Sequence, residues 1–140
     1  MNEPSVIEEM LRKSKTIAVV GMSDKDSRAS YHIGKYLAAH GYRVVPVNPT
    51  LQSVLGSTCY PDLESAQTAV RAEGGEIDLV DVFRSPEFVP PILDDVMRLG
   101  IKYVWLQDGV TAHEAVRKAE AAGVKCVQND CIYRRHAEMF

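Results

Sequence analysis

Cysteine is scarce and unpaired in this sequence: Cys59, Cys126 and Cys131 are odd in number, form no CxxC and match no zinc-ligand spacing. That excludes a disulfide scaffold and a structural zinc site, and three reduced thiols point to the cytoplasm. Long hydrophobic runs are also missing. The longest are strand-sized, and Met1 to Lys15 is charged throughout without the apolar stretch of a signal peptide, so neither a membrane span nor secretion is expected. There is no basic excess either: 16 Lys and Arg against 19 Asp and Glu leave a net charge of −3, which argues against nucleic acid as a partner. No repeat or low-complexity segment interrupts the 140 residues. That length suits one domain, residues 1–140, and buries enough surface to fold without metal or crosslink.

What is present is alternation. Thr16-Ile17-Ala18-Val19-Val20-Gly21 is a continuous apolar run ending in glycine, as expected of a parallel strand covered on both faces. Strand-like runs recur at 43–48, 77–83, 101–106 and 124–128, with a short extended piece at 55–60. Helical patterns lie between them. One runs from Ser30, as its cap, to about His40 and stops at Gly41. Another opens at Pro61-Asp62 and ends at Gly74-Gly75, a third spans 86–99 before Gly100, and a fourth starts at a Thr111/Glu114 capping box and ends at Gly123. Ser5 with Glu8 predicts a capped first helix, and residues 129–140 read as a polar tail with one or two helical turns. Five strands separated by helices predict an α/β fold: a single Rossmann-like domain with a five-stranded parallel sheet and helices on both faces. Ligands of such sheets bind at the carboxyl ends of the strands, where the chain reverses direction beside the first one.

The loops at those ends hold the candidate site. After the first strand stands Gly21-Met22-Ser23-Asp24-Lys25-Asp26-Ser27-Arg28-Ala29-Ser30. Gly21 allows a tight turn, the serines offer hydroxyls, Lys25 and Arg28 add positive charge, and a helix starting near Ser30 offers free N–H groups to a phosphate. A capped, solvated loop would use the same residues. The second strand ends in Val47-Asn48-Pro49, the third in Phe83-Arg84 and the fourth in Gln107-Asp108-Gly109. Asp81, inside the apolar third strand, needs a partner, and nearby backbone, Arg84 and Lys15 are the candidates. Two signatures are missing. The first loop has only the first glycine of GxGxxG, and no acid follows the second strand to hold a ribose, which weakens an NAD reading. The end of the first strand also lacks the paired acids of a magnesium-binding receiver domain.

Taken in order, the segments IAVVGMS, GYRVVPVNP, LGSTCYPDL, IDLVDVFRSP, VWLQDGV and AGVKCVQNDCIYRRH resemble the small bacterial and archaeal CoA-binding proteins, whose domain is similar to the N-terminal domain of the succinyl-CoA synthetase α subunit. The resemblance covers Glu8 to His136 and implies coenzyme A lying across the strand ends. It would bring Gly21, Met22 and Ser23 to the phosphates or pantetheine, and Arg28 and Ser30 to the phosphates. Val47, Asn48 and Pro49 would line the adenosine pocket, Phe83 and Arg84 would border the central section, and Gln107 and Gly109 would sit near the pantetheine arm. Where the synthetase subunit has a basic residue shortly after its second-strand proline, this chain has Thr50 and Leu51, so the cations must be Lys25, Arg28, Arg84 or Lys35. The synthetase's phosphorylated histidine belongs to a later domain with no counterpart in these residues.

The histidines, His32, His40, His113 and His136, show no nucleophile–base spacing, and no metal site is suggested. Cys131, at the ligand edge, is the thiol placed for a mixed disulfide with CoA. Three function classes follow: non-catalytic binding of CoA or an acyl-CoA as sensor or carrier, an NAD(P)-dependent oxidoreductase or regulatory domain, and an interaction domain without ligand.

Overall fold

Alternate residues of a strand face opposite sides of a sheet, and here both sides are covered, which is why the strands read as runs rather than as alternations. The computed structural model describes residues 2–140. In chain order the elements are α1 (Pro4–Lys13), β1 (Thr16–Val20), α2 (Ala29–Ala39), β2 (Arg43–Val47), β3 (Ser53–Val54), β4 (Ser57–Thr58), α3 (Leu63–Ala72), β5 (Leu79–Val82), α4 (Val89–Arg98), β6 (Tyr103–Leu106), α5 (His113–Ala121), β7 (Lys125–Val127) and α6 (Ile132–Met139). A short 3-10 turn, Pro86–Phe88, precedes α4. The main sheet is parallel in the order β2-β1-β5-β6-β7, so the chain switches direction at β1 and a crevice opens between the ends of β1 and β5.

Ala18, Val20, Val80, Val82, Val104 and Leu106 face a core closed by α3, α4 and α5. Ile17, Val19, Leu79, Tyr103 and Trp105 face the other layer, with Ile7 and Met10 of α1, Ile33 and Leu37 of α2 and Ile132 of α6. The fold is therefore the predicted α/β, Rossmann-like one with a five-stranded parallel sheet and six helices.

Local details differ from expectation. The extended piece at 55–60 is instead part of a small hairpin, β3–β4, turning through Leu55 (φ 51°) and Gly56 (φ 76°). Two positive φ values in a row make the tight primed turn that joins short antiparallel strands. The Ser5/Glu8 box does not form: Pro4 opens α1 two residues earlier than a Ser5 cap would, with Glu3 at the cap position and no side-chain cap. Ser30 does not cap α2 either, because Arg28 holds that place with extended backbone and Ser30 lies in the first turn. At α5 Ala112 is the cap and its amide donates to Gln128 Oε1 (3.1 Å), so the Thr111/Glu114 box is absent. Asp62 caps α3 as expected, accepting from the Ser65 amide (2.7 Å).

Asp81 pairs with none of its expected partners. Both oxygens are buried without a hydrogen bond, and burial pushes the carboxyl well above the usual aspartate value. Lys15 and Thr16 give their amides to Asp78 instead (2.8 and 3.0 Å). Asp81 lies in register between Val19 and Trp105 in the centre of the sheet. A neutral acid is the form such a place tolerates.

Candidate functional site

The loop from β1 to α2 is drawn against β2 and β5 by its own polar groups. The Gly21 amide donates to the Val47 carbonyl (2.8 Å), and Gly21 has φ 85°. A Cβ there would stand 2.5 Å from the Phe83 carbonyl oxygen, so the glycine answers to a backbone crossing as much as to any ligand. The Ser23 amide donates to Ser30 Oγ (3.0 Å), and the Lys25 amide to Ser23 Oγ (3.0 Å). The Asn48 Nδ2 amide reaches back to the Met22 carbonyl (3.0 Å), while Asn48 Oδ1 accepts from the Thr50 amide (2.9 Å) and hydroxyl (2.8 Å).

Two adjoining spaces result. A polar hollow of about 340 Å³ is lined by Gly21, Ser23, Arg28, Ala29, Ser30, Asn48 and Phe83. The start of α2 opens onto it, where the Ala29 and Ser30 N–H groups precede the first helical acceptor, the Arg28 carbonyl, which takes the Tyr31 amide (3.2 Å). Arg28 is exposed and makes no ion pair among the described residues. Asp24 and Asp26 offset Lys25 and Arg28 on this loop, so attraction for an anion is local to the helix start. Beside it lies a mainly apolar cavity of about 230 Å³, walled by Val20, Val47, Pro49, Pro61, Leu63, Phe88, Pro91 and Ile92, with Asp62, Arg84 and Asp95 at its polar edge. The Arg84 guanidinium sits 4.2 Å over the centre of the Phe88 ring.

Of the residues singled out in the sequence, Gly21, Ser23, Arg28, Ser30, Asn48 and Phe83 thus meet around the hollow, and Val47, Pro49 and Arg84 around the cavity. Met22, Gln107 and Gly109 line neither. The Met22 side chain is fully buried under α2, where its methyl lies over Gly34. Gln107 is buried and its Oε1 accepts from the Ile132 amide (3.1 Å). The Gly109 amide donates to Asn129 Oδ1 (2.8 Å). Cys131 is buried at the cap position of α6. The wall formed by Leu63, Phe88, Pro91 and Ile92 was missed in the sequence. Its one signal was an aromatic, Phe88, between prolines just past a strand end.

On the other side of the same edge the polar groups satisfy one another. Asp130 accepts from the Cys131 amide (2.9 Å), Asn2 (3.2 Å), Arg134 (3.2 Å) and Arg135 (3.0 Å), while Arg134 also spans Asp108 (3.2 Å to each oxygen). Burial would raise the Asp130 carboxyl, but Arg135, the Cys131 amide and Asn2 together hold it below the ordinary aspartate value. Among the described residues no group of three or more His, Cys, Asp or Glu could hold a metal ion, and no helix is long and apolar enough to cross a membrane.

The model of a family described as CoA binding domain matches residues 15–137. The uncharacterized protein YneT of Bacillus subtilis (strain 168) is 34% identical over 139 residues, 98% of each chain. A solved hypothetical protein from Pyrococcus horikoshii OT3 superposes with a TM-score of 0.87 at 36% identity, covering 99% of this chain and 92% of the other. The ADP-forming acetate–CoA ligase I of Archaeoglobus fulgidus is 26% identical over 134 residues, which is 89% of this chain and 18% of the ligase.

Proposed function

The chain belongs to the CoA binding domain family, and from that premise we propose that residues 1–140 form one unit that binds coenzyme A or an acyl-CoA without catalysing its reaction, as a sensor or carrier. The observation that carries the proposal is the junction of two unlike spaces. A hollow with free helix-start amides, hydroxyls and Arg28 opens beside a cavity of apolar walls, and the ends of β2 and β5 border both. A diphosphate asks for the first and a flat base for the second. In this reading Arg28, Ser23 and Ser30 face the diphosphate. Val47 and Pro49 flank the adenosine, and Asn48 holds the wall between the two spaces.

An NAD-dependent oxidoreductase is less well supported. The end of β2 offers Asn48, whose amide is already spent within the loop, and no carboxylate for a ribose diol. Binding without chemistry fits the polar groups around the two spaces, which are hydroxyls, amides, guanidinium groups and the carboxylates of Asp62 and Asp95, each already engaged within the fold, with no nucleophile beside a base among the described residues. Three free thiols fit a reducing compartment, and the cytoplasm is part of the proposal.

Calorimetric titration of the ligand-stripped protein with CoA, with NAD as the comparison, tests this reading. Micromolar or tighter CoA binding with no NAD heat is expected. NAD binding without CoA binding would replace the reading with the oxidoreductase, and silence from both at several temperatures would leave an interaction domain.

A further inference from the structure

We propose that Arg84, held over Phe88, is the specificity residue that reads a phosphate on the ribose, and so separates CoA from ligands that share its diphosphate but lack that group. The inference rests on the reading above, in which the base enters the apolar cavity.

Four observations converge on this side chain. First, the Arg84 side chain runs beside Gly21 and ends on an aromatic ring. Its Cδ lies 3.0 Å from where a Cβ on Gly21 would stand, and its guanidinium is stacked 4.2 Å over the Phe88 ring. A long side chain that normally loses much rotamer freedom on binding is thereby ordered in advance. Second, no carboxylate among the described residues pairs with it, although Asp62 and Asp95 edge the same cavity. Those two acids are engaged elsewhere: Asp62 caps α3 at the Ser65 amide (2.7 Å), and Asp95 is bridged by Arg98 (2.9 Å). Stacking on an aromatic face leaves the N–H fork of a guanidinium free, and the geometry of that fork matches a phosphate.

Third, Phe88 is a large apolar side chain left 45% exposed, at the turn before α4. Its ring carries the Arg84 guanidinium and lines the cavity. Fourth, the cations divide by compartment. Arg28 lines the polar hollow and Arg84 lines the apolar cavity. A diphosphate in the hollow is served by Arg28 and the α2 amides, which leaves Arg84 for an anion on the base side. On an adenosine nucleotide that anion is a ribose phosphate. The turn after β2, which also faces that side, supplies no cation: Thr50 is turned onto Asn48, and Leu51 follows it.

The test is the ratio of CoA to dephospho-CoA affinity, measured by calorimetry on the intact chain for the wild type and for Arg84→Gln, Phe88→Ala and Arg28→Ala. The wild type is expected to favour CoA by about tenfold or more, the scale of one charge-assisted phosphate contact. Arg84→Gln should bring the ratio to about one while leaving dephospho-CoA affinity within about twofold. Phe88→Ala, which keeps the charge but frees the side chain, should fall between. Arg28→Ala should weaken both ligands and keep the ratio. A wild-type ratio of one, or equal losses for both ligands in Arg84→Gln, would overturn the assignment while CoA binding itself stood. No binding of CoA by the wild type would remove the assignment and the proposed function together. Circular dichroism of each variant separates lost contact from lost fold, since Arg84 and Phe88 lie outside both cores.

Discussion

Two pairs of arginines stand above the same sheet edge and have opposite lives. Arg134 and Arg135 are tied down, the first to Asp108 and Asp130 and the second to Asp130. Arg28 and Arg84 have no acidic partner among the described residues, and one of them is held by an aromatic ring instead. The β6–β7 side uses its polar groups to bolt α6 onto the sheet: Trp105 donates to the Asp130 carbonyl (2.9 Å), and Gln107 and Asn129 each take a backbone amide. The β1–β2–β5 side leaves cations, hydroxyls and amides open around two neighbouring spaces. Polar residues at strand ends are therefore not equivalent. Those that find partners in the fold are structure, and those left unmatched are what a ligand can recognise.

The largest expected effect is on the bolted side. Asp130→Ala leaves Arg135 and the Cys131 amide without their carboxylate while Arg134 keeps Asp108, and should cost about 2–3 kcal/mol in denaturant unfolding while leaving CoA affinity unchanged in the protein that remains folded. The pH response has a definite sign. The folded carboxyl is held below its unfolded value, so its contribution is present above about pH 4 and is lost as pH falls through the lowered value. Next is Gly21→Ala, where a side chain at φ 85° would also strike the Phe83 carbonyl. A loss of about 2 kcal/mol in thermal or denaturant unfolding is expected, with the loop that floors the hollow displaced.

Asp81 should respond oppositely to Asp130. Its folded value is raised well above the unfolded one, so it binds a proton in the folded state that the unfolded chain releases. Stability then falls as pH rises from about 4 towards the folded value, by about 1.4 kcal/mol per pH unit inside that window. Asp81→Asn should remove this slope in unfolding curves taken across pH. The smallest effect is that of Asp108→Ala, which breaks an exposed bridge to Arg134 and should move Tm by less than about 2 °C.

The sheet was legible because burial on both faces writes each strand as an apolar run, and glycines close the helices between them: Val19, Val80 and Val104 announce their places without help from tertiary contacts. The caps were not. Ser5, Ser30 and Thr111 have the right chemistry, yet the backbone chose Glu3, Arg28 and Ala112, because Pro4 and the turn geometry fix where each helix starts. The hairpin was hidden by its turn, Leu55-Gly56, where Asn-Gly would have signalled it. In the candidate site the β1–α2 loop, β2 and β5 were readable because loops at strand ends on the switch side face the crevice. Gln107 and Gly109 looked alike in sequence to those residues. Whether their polar groups remain free depends on where α6 docks, and no local pattern states that. Met22, the one large apolar residue in a polar loop, was the available hint that its side chain belongs under Gly34 in the core.

One measurement tests the division between the two sides most directly: parallel calorimetric titration of CoA into Arg28→Ala and Arg134→Ala. Arg28→Ala should weaken binding about tenfold with the fold intact, and Arg134→Ala should bind as the wild type does. Loss of CoA affinity in Arg134→Ala with none in Arg28→Ala would put the ligand on the bolted side and contradict the account.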